Sequence, residues 1–165
     1  GENVYMTILN CARDYVYITT PYLIIDNEMM TALCTAAKSG IDVRIITPHI
    51  PDKKMVHELT RSHYESLLRA GVRVYEYTPG FIHAKSFVSD DSYAVVGTIN
   101  LDFRSLYLHY ECAAWMYNSS VVPLVKGDFL TTLVSCEEIT LDDCLRVAGV
   151  KRLVLSILRI FAPLM

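Results

Sequence analysis

The stretch Phe81–Ser105, FIHAKSFVSDDSYAVVGTINLDFRS, decides how the chain is read. Two runs of β-forming residues, Ile82–Ser89 and Tyr93–Gly97, flank Asp90-Asp-Ser92, whose residue types favour a turn. The spacing predicts a hairpin. Residues i and i+2 of a strand share a face, so His83 and Lys85 are expected to project together. The hairpin's second strand leads into Gly97-Thr98-x-Asn100, which offers a hydroxyl and an amide.

Upstream the pattern differs. Val4–Arg13 reads as a helix and Tyr15–Thr20 as a strand, ended by Pro21. Asp26 or Asn27 is a fitting cap for a helix that runs to Lys38-Ser39 and stops at Gly40. Ile41–Thr47 is a near-continuous apolar strand. Asp52–Ala70 carries apolar residues at helical spacing and ends before Gly71, and Val72–Tyr77 reads as a third strand. Strand–helix–strand–helix–strand implies parallel strands covered by helices. Adding the hairpin gives an α/β fold with a mixed, mostly parallel central sheet and helices on both faces. Leu108–Tyr117 reads as a further, buried strand. The sequence is helical from Pro123 onward, Thr140-Leu-Asp-Asp143 is a capping-box-like start, and Val147–Phe161 is a last helix. The whole chain, 1–165, reads as one domain, with C-terminal helices from about residue 140.

Composition narrows the function. The 165 residues suffice for a single domain with a real core. Hydrophobic residues make up 52% and charged residues 20%, the balance of an ordered globular protein. The net charge of −3 argues against a dedicated nucleic-acid binder, so no nucleic acid is expected as a partner. Five cysteines without a C-x-x-C pair suggest reduced, buried thiols and a reducing compartment rather than zinc ligands. The absence of any run of about 18 apolar residues excludes a membrane span within this sequence. The start at Gly-Glu-Asn, already in structured-looking sequence, suggests a piece of a longer polypeptide.

The spacing H-x-K-x4-D-x6-G-T-x-N puts six identities, His83, Lys85, Asp90, Gly97, Thr98 and Asn100, within 18 positions. His83-Ala-Lys85 alone would pass for two polar residues on a surface strand, but the full pattern is far more specific. Imidazole, ammonium, hydroxyl and amide together make a phosphate pocket. Lysine and the neutral donors hold phosphoryl oxygens, and imidazole attacks phosphorus or protonates a leaving oxygen. No metal or cofactor is required. A nucleophilic histidine needs one ring nitrogen bare and the other held as N–H by an acceptor. Glu111, in the buried-looking strand, is the candidate acceptor, since a lone carboxylate there is costly unless paired. Asp90, at the turn, is better suited to a local structural bond. His49 and His57 read as loop and helix-face residues, His63 as a helix-surface or packing residue, and His109 either as a plain strand position or as one that approaches the cleft. His83 is the one histidine with a lysine two residues on, so the chain holds one copy of the motif.

These residues resemble the H-K-D signature of the phospholipase D superfamily, with Thr98 where serine is common. The resemblance covers nearly the whole chain and is closest to the carboxy-terminal half of bacterial cardiolipin synthases. Tyr17-Ile-Thr-Thr-Pro-Tyr22, Gly40–Ile46, Leu67–Val74, Gly97–Ser105 and Phe161–Met165 carry it. Ile25 stands where proline is usual, and His109 where asparagine is usual.

The resemblance implies that His83, Lys85, Asp90 and Glu111 are catalytic, with Lys85, Thr98 and Asn100 on the substrate phosphate. It implies transfer of a phosphatidyl group between two phosphatidylglycerol molecules through a phosphatidyl-histidine. The partners implied are phosphatidylglycerol or another anionic phospholipid, a membrane surface, and a second H-K-D half or a homodimer partner. The implied location is the bacterial cell membrane with the catalytic domain facing the cytosol, anchored by helices in a missing amino-terminal part. By analogy His83 is the general acid, although the residues themselves leave the nucleophile's role open. A single-motif phosphodiesterase or nuclease working as a homodimer, and a half-domain inactive by itself, are the alternatives.

At the carboxy terminus Val150, Leu153, Val154, Ile157, Leu158 and Phe161 fall on one helical face, with Lys151, Arg152, Ser156 and Arg159 on the other. Packing of the apolar face on the domain, with a solvated basic face, is favoured over contact with an anionic membrane.

Overall fold

The computed structural model describes residues 1–146, 154, 155 and 157–159. The elements follow in the order α1 (Glu2–Cys11), β1 (Tyr15–Thr19), β2 (Leu23–Ile24), α2 (Asn27–Lys38), β3 (Asp42–Pro48), α3 (Lys54–Arg69), β4 (Arg73–Tyr77), β5 (Ser86–Ser89) and β6 (Tyr93–Gly97). Then come β7 (Leu101–Asp102), a π-helical turn (Arg104–Leu108), β8 (Ala113–Tyr117), α4 (Val122–Leu133), β9 (Cys136–Ile139) and α5 (Leu141–Leu145).

Seven strands form one mixed sheet in the order β8-β6-β5-β1-β3-β4-β9. The neighbours β1–β3 and β3–β4 are parallel and the other four pairings antiparallel, so the parallel character is concentrated in the three strands that alternate with helices. β2 and β7 pair in a separate two-stranded parallel ribbon.

Period-2 alternation sorts the strand side chains onto two faces. Val16, Ile18, Val43, Ile45, Val74, Phe87 and Val95 face α1, α2 and α3, which contribute Tyr5, Ile8, Met29, Leu33, Tyr64 and Leu67. Tyr15, Tyr17, Ile46, Tyr75, Val88 and Ala94 face α4, where Val122 and Phe129 close a smaller core. All five residues of β1 are buried, as befits a strand covered on both sides. Local signals act where the sequence placed them. The Asp26 side chain accepts from the Met29 N–H at the start of α2. Gly40 and Gly71 take φ of +92° and +97° after α2 and α3, conformations that favour glycine. Thr140 and Asp143 form a capping box.

Four expectations are corrected. The strand expected from Ile82 starts only at Ser86. β1 ends at Thr19, opposite Ser86, so residues 82–85 have no strand on that side, and on the other side contact with β6 ends where the Gly97 N–H donates to the Lys85 carbonyl at 3.2 Å. The buried strand expected over Leu108–Tyr117 is a π-helical turn, a connection and the short β8, an edge strand with Trp115 and Tyr117 exposed. Of the cysteines, Cys11 and Cys112 are exposed and the others half-buried, all with free thiols. β9 was not anticipated: Glu137 and Glu138 mask it, yet it pairs antiparallel with β4, buries Ile139, and carries Glu138, onto which Arg73 of β4 forks at 3.0 and 3.2 Å.

The C-terminal helix lies mostly outside the described residues. Val154, Leu155 and Ile157–Arg159 are helical. Leu158 packs against Ile24 and Leu59, but Val154 and Ile157 of the same predicted apolar face are each 49% exposed. Arg159, expected in solvent, donates from Nε to the Ser62 hydroxyl of α3 at 2.9 Å.

His63 is buried on α3, with Nδ1 2.9 Å from the Leu59 carbonyl. Burial, reinforced by the Arg159 charge, pushes its pKa from 6.5 down to about 4. The unfolded chain therefore binds a proton below pH 6.5 that the folded chain refuses, and stability falls as pH drops from 6.5 toward 4, by about 3 kcal/mol for this depression. Urea unfolding between pH 7 and pH 5 should show this slope, and His63→Gln should flatten it.

Candidate active site

Backbone geometry delivers the candidate residues before any side-chain contact matters. Ladder pairing of β5 ends at Ser86, the Lys85 carbonyl makes one further bond to the Gly97 N–H, and the chain before it runs along the carboxy-terminal ends of β1, β3 and β4, where ligands bind in open α/β sheets. His83 and Lys85 lie on this segment and line a cavity of about 720 Å³, together with Gly97, Asn100, Leu124 and Asp128. Thr98 also borders it.

The Lys85 ammonium donates to the His83 carbonyl at 2.7 Å and lies 3.0 Å from both imidazole nitrogens. A point equidistant from both at that range would collide with Cε1 if it lay in the ring plane, so the ammonium sits over the ring face. The shared face inferred from strand geometry is thus realised by a non-strand backbone. Burial lowers the Lys85 pKa, opposed by the nearby charges of Glu111 and Asp102. Tyr22, just past β1, presents its ring edge-on to His83 at 6.5 Å, and Phe81 lies 5.6 Å from His83 and 6.4 Å from Tyr22, so the three rings cluster together. Tyr22 is held in turn by its hydroxyl on Asp52 at 2.6 Å.

The remaining predicted residues divide. Glu111 does not hydrogen-bond to His83; its carboxylate accepts from the Thr98 hydroxyl. Thr98 in turn accepts from the Cys112 N–H at 3.0 Å, so its one donor proton is taken and it has none to offer a phosphate. The physical reason is the path of the chain: Glu111 enters β8 beside β6, and Thr98 leaves β6 at the same level. Asn100 uses one amide proton on Ser105 at 3.0 Å, while its carboxamide oxygen is buried without a partner. Gly97 is required by close approach, since a Cβ there would meet the Cys112 carbonyl at 2.3 Å.

Asp90 stands at the opposite end of β5 from Lys85, about 16 Å along the strand at 3.3 Å per residue. Its carboxylate accepts from the N–H groups of Arg13, Asp14 and Tyr15 at 2.8, 3.0 and 2.9 Å. That placement keeps it out of contact with the cavity and makes it the fastening of the hairpin to the entry of β1. Among the described residues no group of histidine, cysteine and carboxylate side chains is arranged to hold a metal ion.

Tyr22, Phe81, Ser105 and Asp128 border this region without having been singled out. Tyr22 had a signal, a Pro-Tyr at the end of a parallel strand. Asp128 had none, because only the docking of α4 brings it here.

A mixed sheet whose hairpin is entered through His-x-Lys beside an open cavity, with an aspartate fastening the far turn, is the fold and motif of a phospholipase D-like domain. Residues 5–132 match the family described as the phospholipase D-like domain of cardiolipin synthase, and the chain belongs to that family. It is 52% identical over its whole length to an uncharacterized protein of Streptococcus mutans, of which it covers 36%. It is 40% identical over 99% of its length to a cardiolipin synthase of Clostridium perfringens, of which it covers 34%. The chain thus spans about a third of the length of these relatives. Among solved structures it resembles the phospholipase D family member Nuc of Salmonella typhimurium (TM-score 0.74, 14% identity, 84% of this chain and 90% of that one). It also resembles the phosphatidylserine synthase of Haemophilus influenzae (TM-score 0.77, 17% identity, 98% of this chain and 43% of that one). These likenesses establish the fold.

Hydrogen bonds to a charged acceptor contribute about 1.5–3 kcal/mol, and Asp90 makes three in a turn held at φ +53°. Asp90→Ala should lower the unfolding free energy by on the order of 3 kcal/mol in urea titration. Asp90→Asn, which tolerates the same φ and keeps one acceptor oxygen, should cost clearly less.

Proposed function

We propose that this chain is the carboxy-terminal catalytic half of a cardiolipin synthase, with the complementary H-K-D face supplied by the amino-terminal part of the same polypeptide. The observation that carries this reading is the convergence of His83 and Lys85 on one wall of a cavity that lies open on a chain of this family. The relatives' length leaves room for a second half.

On this reading the chemistry runs as a two-step transfer. Lys85 and the free amide proton of Asn100 hold the phosphodiester of a first phosphatidylglycerol. The histidine of the complementary half attacks phosphorus, a P–N bond forms, and the P–O bond to the headgroup breaks. His83, as imidazolium, gives its proton to the departing glycerol oxygen. Neutral His83 then takes the proton from a hydroxyl of a second phosphatidylglycerol, whose oxygen attacks phosphorus and displaces the histidine. The sum is cardiolipin and glycerol, with both histidines restored. Asp90 contributes by fixing the strand that presents Lys85. Glu111 acts as a positioning residue: it holds Thr98 and bears electrostatically on Lys85. The substrates are membrane lipids, so the catalytic domain works at the cytosolic face of a bacterial membrane. Among the described residues no helix is long and apolar enough to cross one.

The test uses the two-motif parent and phosphatidylglycerol vesicles, with cardiolipin and glycerol both quantified. His83→Ala should lower turnover by about 10²–10⁴-fold, the usual worth of a general acid; near-normal turnover would refute its chemical role. This 165-residue chain alone, as a monomer, should make little cardiolipin. Robust synthesis by it would overturn the half-site reading. Glu111→Gln should slow the parent about tenfold, the effect of roughly 1.4 kcal/mol, with its unfolding midpoint unchanged.

A further inference from the structure

The cavity that His83 and Lys85 line is also lined by α4, which contributes Leu124, Val125 and Asp128. Leu124 and Asp128 are four residues apart and share one helix face. The Asp128 carboxylate has no hydrogen bond or ion pair among the described residues, and the nearest lysine in sequence, Lys126, is taken by Asp91 at 2.8 Å. An unpaired carboxylate therefore lines the same cavity as the Lys85 ammonium and the His83 imidazole, which are suited to a phosphate.

That arrangement works against a simple phosphate site. A fixed negative charge in the cavity repels the phosphodiester and lowers its affinity. The repulsion is offset only if the ligand brings hydrogen-bond donors beyond its phosphate. Val96, Leu124 and Val125 supply apolar surface along the cavity beside Asp128, while the Asp128 side chain, like Leu124, stays exposed to solvent, so its effect on a ligand comes from the hydrogen bonds it accepts. A headgroup fits when it has a phosphate at one end, a short carbon chain, and hydroxyl or ammonium donors at the other. Water and simple alcohols lack the distal donor.

We propose that Asp128 is the residue that selects the headgroup alcohol, accepting hydrogen bonds from the distal hydroxyls of a glycerol whose phosphate lies against Lys85 and His83. The choice of glycerol over an ammonium-bearing headgroup rests on the proposed cardiolipin synthase reading; the demand for a distal donor does not. A carboxylate that accepts from the distal hydroxyl adds a charge-assisted hydrogen bond that the analogue lacking the hydroxyl cannot make. Asp128 thereby favours a polyol acceptor over a simple alcohol and over water.

The experiment compares acceptors in the two-motif parent, with phosphatidylglycerol vesicles as donor and 1,3-propanediol competing against 1-propanol. Wild type should favour the diol, and Asp128→Leu should lower the ratio of phosphatidylpropanediol to phosphatidylpropanol about tenfold. Asp128→Asn should fall between, and Asp128→Glu should restore part of the preference. A ratio unchanged in Asp128→Leu overturns the proposal.

A second arm does not depend on turnover: glycerol 1-phosphate and n-propyl phosphate are titrated into the same proteins and followed by NMR. Loss of the preference for the glycerol ester in Asp128→Leu supports the role of Asp128 even if the wild type transfers nothing, a result that would overturn the synthase reading alone. Equal affinities in wild type overturn the selective role. In a third arm, ethanolamine and choline are the acceptors. A loss in Asp128→Leu confined to ethanolamine overturns the assignment to glycerol.

Discussion

Three backbone N–H groups at the entry of β1 converge on the Asp90 carboxylate, and the geometry of the cavity depends on that bond set. β1 is the central buried strand, so fixing the hairpin turn to its first residue fixes the register of β5 along it, with Val16 opposite Ser89 and Thr19 opposite Ser86. A slip of one residue would send Phe87 and Val88 to each other's faces. Register in turn decides that pairing ends at Ser86, and so that Lys85 and His83 emerge at the edge of the sheet. The neighbouring Asp91 reinforces the clamp through the Tyr15 hydroxyl at 2.9 Å and Lys126 of α4 at 2.8 Å. The aspartate of the motif thus acts along the strand, at a distance from the chemistry.

The cavity itself is an assembly of three elements that approach from different directions. The stretch before β5 brings the Lys85 ammonium and the His83 imidazole, the stretch after β6 brings Asn100, and α4 brings apolar surface with one carboxylate. Gly97 lets the chain entering β8 lie close on β6, and this closeness puts Glu111 within reach of Thr98 rather than His83. A buried ammonium beside an open imidazole, unshielded on one side, is costly in isolation and favourable once a phosphodiester lies across it. The residues therefore describe one face of a reaction chamber.

A second charged centre flanks this edge of the sheet without joining the cavity. Glu76 at the end of β4 is fully buried and accepts from His49 at 2.8 Å, Arg61 at 3.1 Å and the Tyr64 hydroxyl at 3.2 Å, while Tyr64 also meets Thr47 at 2.7 Å. With every partner close, the carboxylate ties the ends of β3 and β4 to α3. None of this was visible in the spacing of His49, Arg61 and Glu76, which come from three different elements.

Much was legible because the signals were local. Alternation placed β1, β4 and β6, helical spacing placed α2 and α3, and Gly40 and Gly71 closed those helices, since a turn of backbone depends on neighbours in sequence. The H-x-K spacing put His83 and Lys85 side by side, and the turn residues gave Asp90 its structural role. What failed depended on distant partners: residues 82–85 look like strand and are not, because β1 and β6 end beside them, and Leu108–Tyr117 looks buried but lies at a sheet edge. Glu111 was rightly suspected of needing a partner, but the partner was chosen by the close approach of β8 to Gly97. Asp128 carries no motif at all. The sequence by itself determined which residues have the chemistry to hold a phosphate and which local turns present them. Only the tertiary structure decided which carboxylate faces which cation, because charge pairing acts across space and is set by where strands stop and where α4 docks.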